Sequence, residues 1–187
     1  METLVTIRNR CSLKAHISGR EVEPEKINII LEAGRLAASD SNKQPWRFIV
    51  VQEKQLVEEL SQAFKEYNRV IKDAPVILFT CVRAVDELIR DGRDYYLFDI
   101  GLAVGNMLLA ATDMGLVTHL MTAFNAAQIK QILQLPDDIR VVVATPLAYP
   151  LEGSYYEAAR ERLSKRTRKD LKELVHYNRW NTAEPAK

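Results

Sequence analysis

Much of what this sequence lacks narrows its chemistry. Its two cysteines, Cys11 and Cys81, stand far apart and form neither a metal-ligand spacing nor a redox pair, which suits a reducing, cytoplasmic setting. The three histidines, His16, His119 and His176, share no metal-ligand spacing, and no Ser or Cys lies in a nucleophile motif. Neither a metal site nor hydrolase machinery is therefore expected. Seven glycines are present, yet none builds a phosphate loop of the dinucleotide or nucleoside-triphosphate type, which argues against a Rossmann enzyme. Long hydrophobic runs are missing too. The longest uncharged apolar stretch, residues 100–112, is well short of the roughly 20 residues that span a bilayer. Residues 1–10 carry scattered charges and no signal-peptide core, so export is not expected. Finally, 26 Lys and Arg balance 25 Asp and Glu, leaving no global field toward nucleic acid or an anionic membrane. Any anion site has to be local.

What is present fits one globular domain over residues 1–187, with 47% apolar and 27% charged residues. Glu23-Pro24-Glu25 is a helix start, with proline in the first turn and acids at the positive dipole end. That helix dissolves in the turn formers of residues 39–45, and a strand follows over 46–51. Helical spacing returns over 54–67. Ala74-Pro75 then introduces a short apolar run, 76–82, which reads as a buried strand. Residues 95–114 form a helix that is apolar almost all round, ended by Gly115. Its small residues fit either close packing within one subunit or contact with a second. A short strand over 116–121, a helix over 126–133 and a strand over 141–148 complete a core of residues 1–150. Residues 151–187 are polar with isolated apolar anchors, the pattern of a tail that wraps over a surface. Strands alternating with helices predict a sheet covered by helices.

Polar clusters mark where chemistry could sit. Arg10, Ser12 and Lys14 alternate, so in an extended segment their side chains share one side, where they suit a phosphate and a polyol chain as well as plain solvent. Ser39, Asn42 and Gln44 sit in the turn before Pro45-Trp46. They either bond to neighbouring backbone or offer paired donors and acceptors to a planar heterocycle. The basic run Arg160, Arg162, Lys165, Arg166, Arg168 and Lys169 is a solvated helix face or a phosphate grip.

Taken in order, these pieces resemble the nitroreductase family of flavin proteins. Arg10-x-Ser12-x-Lys14 is similar to the family's opening segment, and Ser39-x-x-Asn42-x-Gln44-Pro45-Trp46 to its turn before a strand. Asp99-x-Gly101-x-Ala103-x-x-Asn106 opens a similar central helix, and Arg166-Thr167-Arg168-Lys169 with Val175-His176-Tyr177-x-Arg179-Trp180 resembles its closing segment. The resemblance implies an α+β three-layer sandwich, a mixed central sheet flanked by helices, with the C-terminal tail wrapping a partner subunit. It also implies flavin mononucleotide (FMN) bound in a homodimer by Arg10, Cys11, Ser12, Lys14, Ser39, Asn42, Gln44, Arg166 and Arg168, with the amide of Thr122 or Ala123 facing flavin N5. The chain departs from the family at Cys11, where Arg or His is common, and at Met121-Thr122-Ala123-Phe124, where a glycine is frequent. Little room remains for an inserted lid between Val82 and Tyr95.

The activity implied is electron transfer from NADH or NADPH through the flavin to a nitroaromatic, quinone or similar flat acceptor, in ping-pong order. No side chain is required as acid, base or nucleophile. The alternatives are a flavin-binding storage or sensing protein without turnover, and other flavin chemistry on the same fold.

Overall fold

The computed structural model describes residues 2–86 and 89–180. The chain opens with helix α1 (Thr3–Asn9), an extended segment and the short strand β1 (Ile17–Ser18). Helix α2 (Pro24–Arg35) begins where the sequence predicts, with Pro24 in its first turn, and gives way to a 3-10 turn at Asp40–Asn42. Strand β2 (Trp46–Val51) and helix α3 (Lys54–Ser61) follow, then a 3-10 stretch, Glu66–Asp73, and strand β3 (Val76–Arg83). A small hairpin, β4 (Ile89–Arg90) and β5 (Arg93–Asp94), leads into the long helix α4 (Tyr96–Asp113). Strand β6 (Val117–Thr118), helix α5 (Ala126–Ile132) and strand β7 (Ile139–Pro150) come next. Helices α6 (Ser154–Ser164) and α7 (Leu171–Leu174) lie in the tail.

The sheet is organised by β7. It pairs antiparallel with β3 along nearly its whole length, and β3 in turn pairs with β2. At its C-terminal end β7 also pairs with β1 and β6, while Ser12 adds a parallel bridge to Thr118. Strand β3 is buried along all but its last residue and alternates between two cores. Ile77, Phe79 and Cys81 face Leu60, Ile71, Met121 and Ile129, whereas Val76 and Leu78 face Ile30, Met107 and Leu147. Helices α3 and α5 therefore cover one face and α2 and α4 the other, giving the expected three-layer α+β sandwich. Burial pushes the Cys81 thiol up to about 12, so this cysteine fills space as an uncharged side chain.

Three elements differ from the sequence reading; the strand expected over 116–121 is only Val117–Thr118, with Met121 held by a single bridge to Ala144. The helix predicted over 54–67 stops at Ser61, because Ala63 accepts a hydrogen bond from the Asn125 amide at 2.7 Å and Phe64 bridges to Phe124. Long-range pairing overrides the local pattern there. The last strand runs over Ile139–Pro150 rather than 141–148, since its ends are held by β3 and β1.

Helix α4 buries Ile100, Ala103, Val104, Met107 and Ala111 and leaves Leu97 and Phe98 in the open, at 54% and 64% exposure. It runs against α2 where Gly34 leaves no room for a side chain. A Cβ there would lie 2.7 Å from Met107 Sδ and 2.9 Å from Phe48 Cζ. Overpacking of this kind costs about 1–3 kcal/mol. Gly34→Ala is accordingly expected to lower the melting temperature by several degrees; a thermal melt that equals or exceeds that of the unaltered protein would show that Met107 yields freely.

Candidate functional site

The bridge between Ser12 and Thr118 places the segment after α1 against the start of β6. Arg10 turns toward Ser12 and donates to its hydroxyl at 2.9 Å. From the far end of the chain, Arg166 donates to the carbonyl oxygens of Arg8, at 3.0 Å, and Arg10, pinning the tail to this segment. Between them opens a cavity of about 660 Å³, lined by Arg10, Cys11, Ser12, Arg162, Arg166 and Arg168 among others. Cys11 is buried in its wall. Lys14 does not follow Arg10 and Ser12. Its ammonium goes to the Asn68 side chain at 2.8 Å and to the Tyr67 carbonyl.

His119 stands directly beyond Thr118, partly buried, with Nδ1 enclosed and without a hydrogen-bond partner among the described residues. Burial, and then the charges of Lys14 and Arg162, hold its pKa below the ordinary imidazole range, against a hydrogen bond with the Ser12 backbone. Arg162 itself makes no hydrogen bond or ion pair among the described residues, and Lys165 is tied to Glu161. Lys14 and Arg162 thus both press positive charge on His119, an arrangement that an anion relieves.

Further along the same edge, Met121 bridges to Ala144, bringing Thr122 and Ala123 to the surface of the sheet. The Ala123 carbonyl accepts from Lys65, while the Thr122 and Ala123 amides donate to no backbone carbonyl among the described residues. They remain available to a ligand.

Ser39, Asn42 and Gln44 form a separate cluster. The Ser39 hydroxyl accepts from the Gln44 amide at 3.0 Å, and the Gln44 side chain donates to Asn42 Oδ1 at 3.1 Å. Ser41, Asn42 and Gln44 all have left-handed backbone, with φ of 51°, 56° and 48°, which is strained for residues other than glycine. Two carboxylates hold this turn. Asp99, 2% exposed near the start of α4, accepts the Asp40 amide at 3.1 Å. Asp40 in turn is clamped by Arg90 of the hairpin at 2.8 Å, whose guanidinium, with the Ser41 hydroxyl, keeps the Asp40 carboxyl below its usual range. The turn does not meet the cation cavity within one chain. Trp46 lies across β3 from Arg140, whereas Thr118 pairs with Leu147. At about 3.3 Å per residue along β7 and about 4.8 Å between strands, the clusters stand roughly 27 Å apart.

Residues 7–80 and 65–149 match the family model described as Nitroreductase family. This chain belongs to the nitroreductase family. A nitroreductase family protein of Clostridium difficile 630, solved by crystallography, superimposes with a TM-score of 0.82 at 31% identity, covering 96% of this chain and 100% of that one. An Archaeoglobus fulgidus protein that bears the provisional name NADH dehydrogenase/NAD(P)H nitroreductase is 31% identical over 84% of this chain and 91% of its own. An iodotyrosine deiodinase of Haliscomenobacter hydrossis is 30% identical over 73% of this chain and 74% of its own.

Within this chain, sequence reasoning missed Asp99 and His119 as parts of the site region, and it left Arg162 undivided from a basic run. No local pattern separates a buried helical Asp or an isolated His from core filling; only their partners from remote segments do. Burial raises the Asp99 carboxyl, and the hydrogen bond from Asp40 only partly opposes this. Because the folded value lies above the unfolded one, near about 3.9, the folded state binds the proton more tightly, and Asp99 makes stability rise as pH falls through that window. Asp99→Asn keeps an acceptor for the Asp40 amide without the charge, and is expected to remove this pH dependence. Asp99→Leu leaves the amide unpaired and is expected to cost about 1–3 kcal/mol. Denaturant melts across the acid range check both, and an unchanged pH profile in Asp99→Asn would assign the dependence elsewhere.

Proposed function

We propose that this chain binds FMN between two copies of itself and works as an NAD(P)H-dependent oxidoreductase that reduces a nitroaromatic, a quinone or a similar flat acceptor. The observation that carries the reading is the cation-lined cavity, whose donors arrive from both ends of the chain. Their chemistry fits a phosphate monoester: guanidinium forks match its oxygens, and a hydroxyl adds a further donor. Arg10, Ser12 and Arg168 would hold the phosphate, with Cys11 behind them and Arg166 keeping the segment in place. Lys14 would reach toward the polar part of the flavin, and the free amide of Thr122 or Ala123 would face its N5 edge. When bound, the flavin supplies hydride acceptance from the nicotinamide and electron delivery to the second substrate, in ping-pong order. The chain's own residues bind, orient and shield, and none acts as nucleophile, acid or base.

The second copy follows from distance. Ser39, Asn42 and Gln44 lie too far from the cavity of their own chain to touch the same flavin, so on this reading a partner supplies them. The exposed apolar residues suit that role. Leu97 and Phe98 on α4, and Leu171, Tyr177 and Trp180 in the tail, are open to solvent in the single chain and are of the apolar kind that obligate dimers bury. Residues 151–180 would then wrap the neighbour, whereas residues 1–150 supply the core.

Two rivals are separated by reduction chemistry. A storage or sensing protein would bind flavin that NADH and NADPH leave oxidised. The deiodinase relative favours a third outcome, a flavin that reduces a halogenated aromatic rather than a nitro compound or quinone. A yellow protein that bleaches with NADPH or NADH and recolours with a quinone supports the proposal; an inert flavin refutes it. Charged hydrogen bonds to phosphate are worth about 1.5–3 kcal/mol, or roughly 10- to 150-fold in affinity. Arg168→Ala is therefore expected to weaken FMN binding by that factor in a fluorescence titration, and unchanged affinity would remove Arg168 from the grip. Sedimentation is expected to give a dimer, and a stable monomer that retains FMN would refute the shared site.

A further inference from the structure

The cation cavity is larger and more positive than one flavin phosphate requires. Its volume of about 660 Å³ lies within the roughly 300–1,000 Å³ typical of sites for whole small molecules. Setting aside the Lys165–Glu161 pair, four arginines remain, Arg10, Arg162, Arg166 and Arg168. A phosphate monoester brings about two negative charges, and three of these arginines, Arg10, Arg166 and Arg168, belong to the segments, 10–12 and 166–168, that the proposed flavin site closes on one phosphate. Arg162 comes from a third element, the last turn of α6, and has no partner of its own. Its charge falls on His119, between the phosphate grip and the edge at Thr122 and Ala123 where the flavin ring is placed.

From these placements we infer that Arg162 marks a second phosphate subsite, and that its ligand is the 2′-phosphate of the reduced nicotinamide dinucleotide, so that the enzyme prefers NADPH to NADH. The inference rests on the proposed flavin site, since it is the flavin ring that fixes where the nicotinamide must stack. The reach is sufficient. Met121 pairs with Ala144 and Thr118 with Leu147, so ring edge and phosphate grip differ by about 10 Å along β7, well within an extended dinucleotide. A dinucleotide stacked on the ring and running beside the flavin's own chain brings its adenosine end under α6. There Arg162 offers a planar fork that a monoester fills and a bare ribose hydroxyl leaves unpaired. The analogue without the phosphate forgoes these charge-assisted hydrogen bonds, which is the basis of the discrimination.

Adenosine 2′,5′-bisphosphate and 5′-AMP differ by this phosphate alone and test the subsite without turnover. In calorimetric titrations of the FMN-loaded protein, the bisphosphate is expected to bind roughly 10- to 150-fold more tightly than 5′-AMP. Arg162→Ala is expected to bring the two to the same affinity while keeping its full flavin absorbance, and to raise KM for NADPH toward that for NADH. Equal binding of the two nucleotides by the unaltered protein overturns the inference. Loss of flavin from Arg162→Ala also overturns it, because Arg162 would then belong to the FMN grip. If inorganic phosphate displaces the bisphosphate at comparable concentration, the subsite takes free phosphate and the dinucleotide assignment fails. Should the chain take up no FMN at all, the flavin reading fails separately, and the same titrations on the flavin-free chain still decide whether Arg162 recognises the 2′-phosphate.

Discussion

Hydrogen bonding along one strand sets the geometry on which everything else here depends. Among the described residues, strand β7 alone pairs with β3 on one hand and with β1 and β6 on the other. Its register fixes the distance between the cation cavity at its C-terminal end and the strained turn beyond its N-terminal end. A one-residue slip would turn every inward side chain of β7 to the opposite layer, so the two cores that sandwich it also protect that distance. Packing and site geometry are therefore a single constraint, and the separation of the clusters is as rigid as the sheet.

How much of this was legible in the sequence depended on whether the cause was local. Pro24 and its flanking acids mark the start of α2, and Ala74-Pro75 before a β-branched run marks β3, because each signal acts within a few residues. The continuous apolar run 76–82 fits a strand buried on both faces. Helix α3 was overrun in the reading because its end is decided by the Ala63–Asn125 and Phe64–Phe124 contacts, which no window around residue 62 contains. The site divides in the same way. Arg10 and Ser12 do share one side, as alternation implies, but Lys14 leaves them for Asn68, a partner 54 residues away. Arg162, His119 and Asp99 acquire meaning only from elements remote in the chain.

The turn at residues 39–44 illustrates how a strained conformation is kept. Its left-handed residues would relax in isolation, yet the Ser39 hydroxyl, the Asn42 and Gln44 side chains, Asp99 beneath and Arg90 alongside over-determine it. A buried carboxylate is a costly support, and its acceptance of a backbone amide offsets only part of that cost. What the fold gains is a row of polar groups held in fixed positions and open to solvent ahead of β2.

The separation of the two clusters along β7 has a genetic consequence. On the two-copy reading each flavin draws on the cavity of one chain and the turn of the other. A chain crippled at Arg168 and a second chain crippled at Asn42 would each be poor as a homodimer. Mixed together, they would assemble one pocket that carries both lesions and one that carries neither. Two alleles that fail separately would in this way restore one another, and the half-activity of the hybrid would appear as complementation between alleles of a single gene.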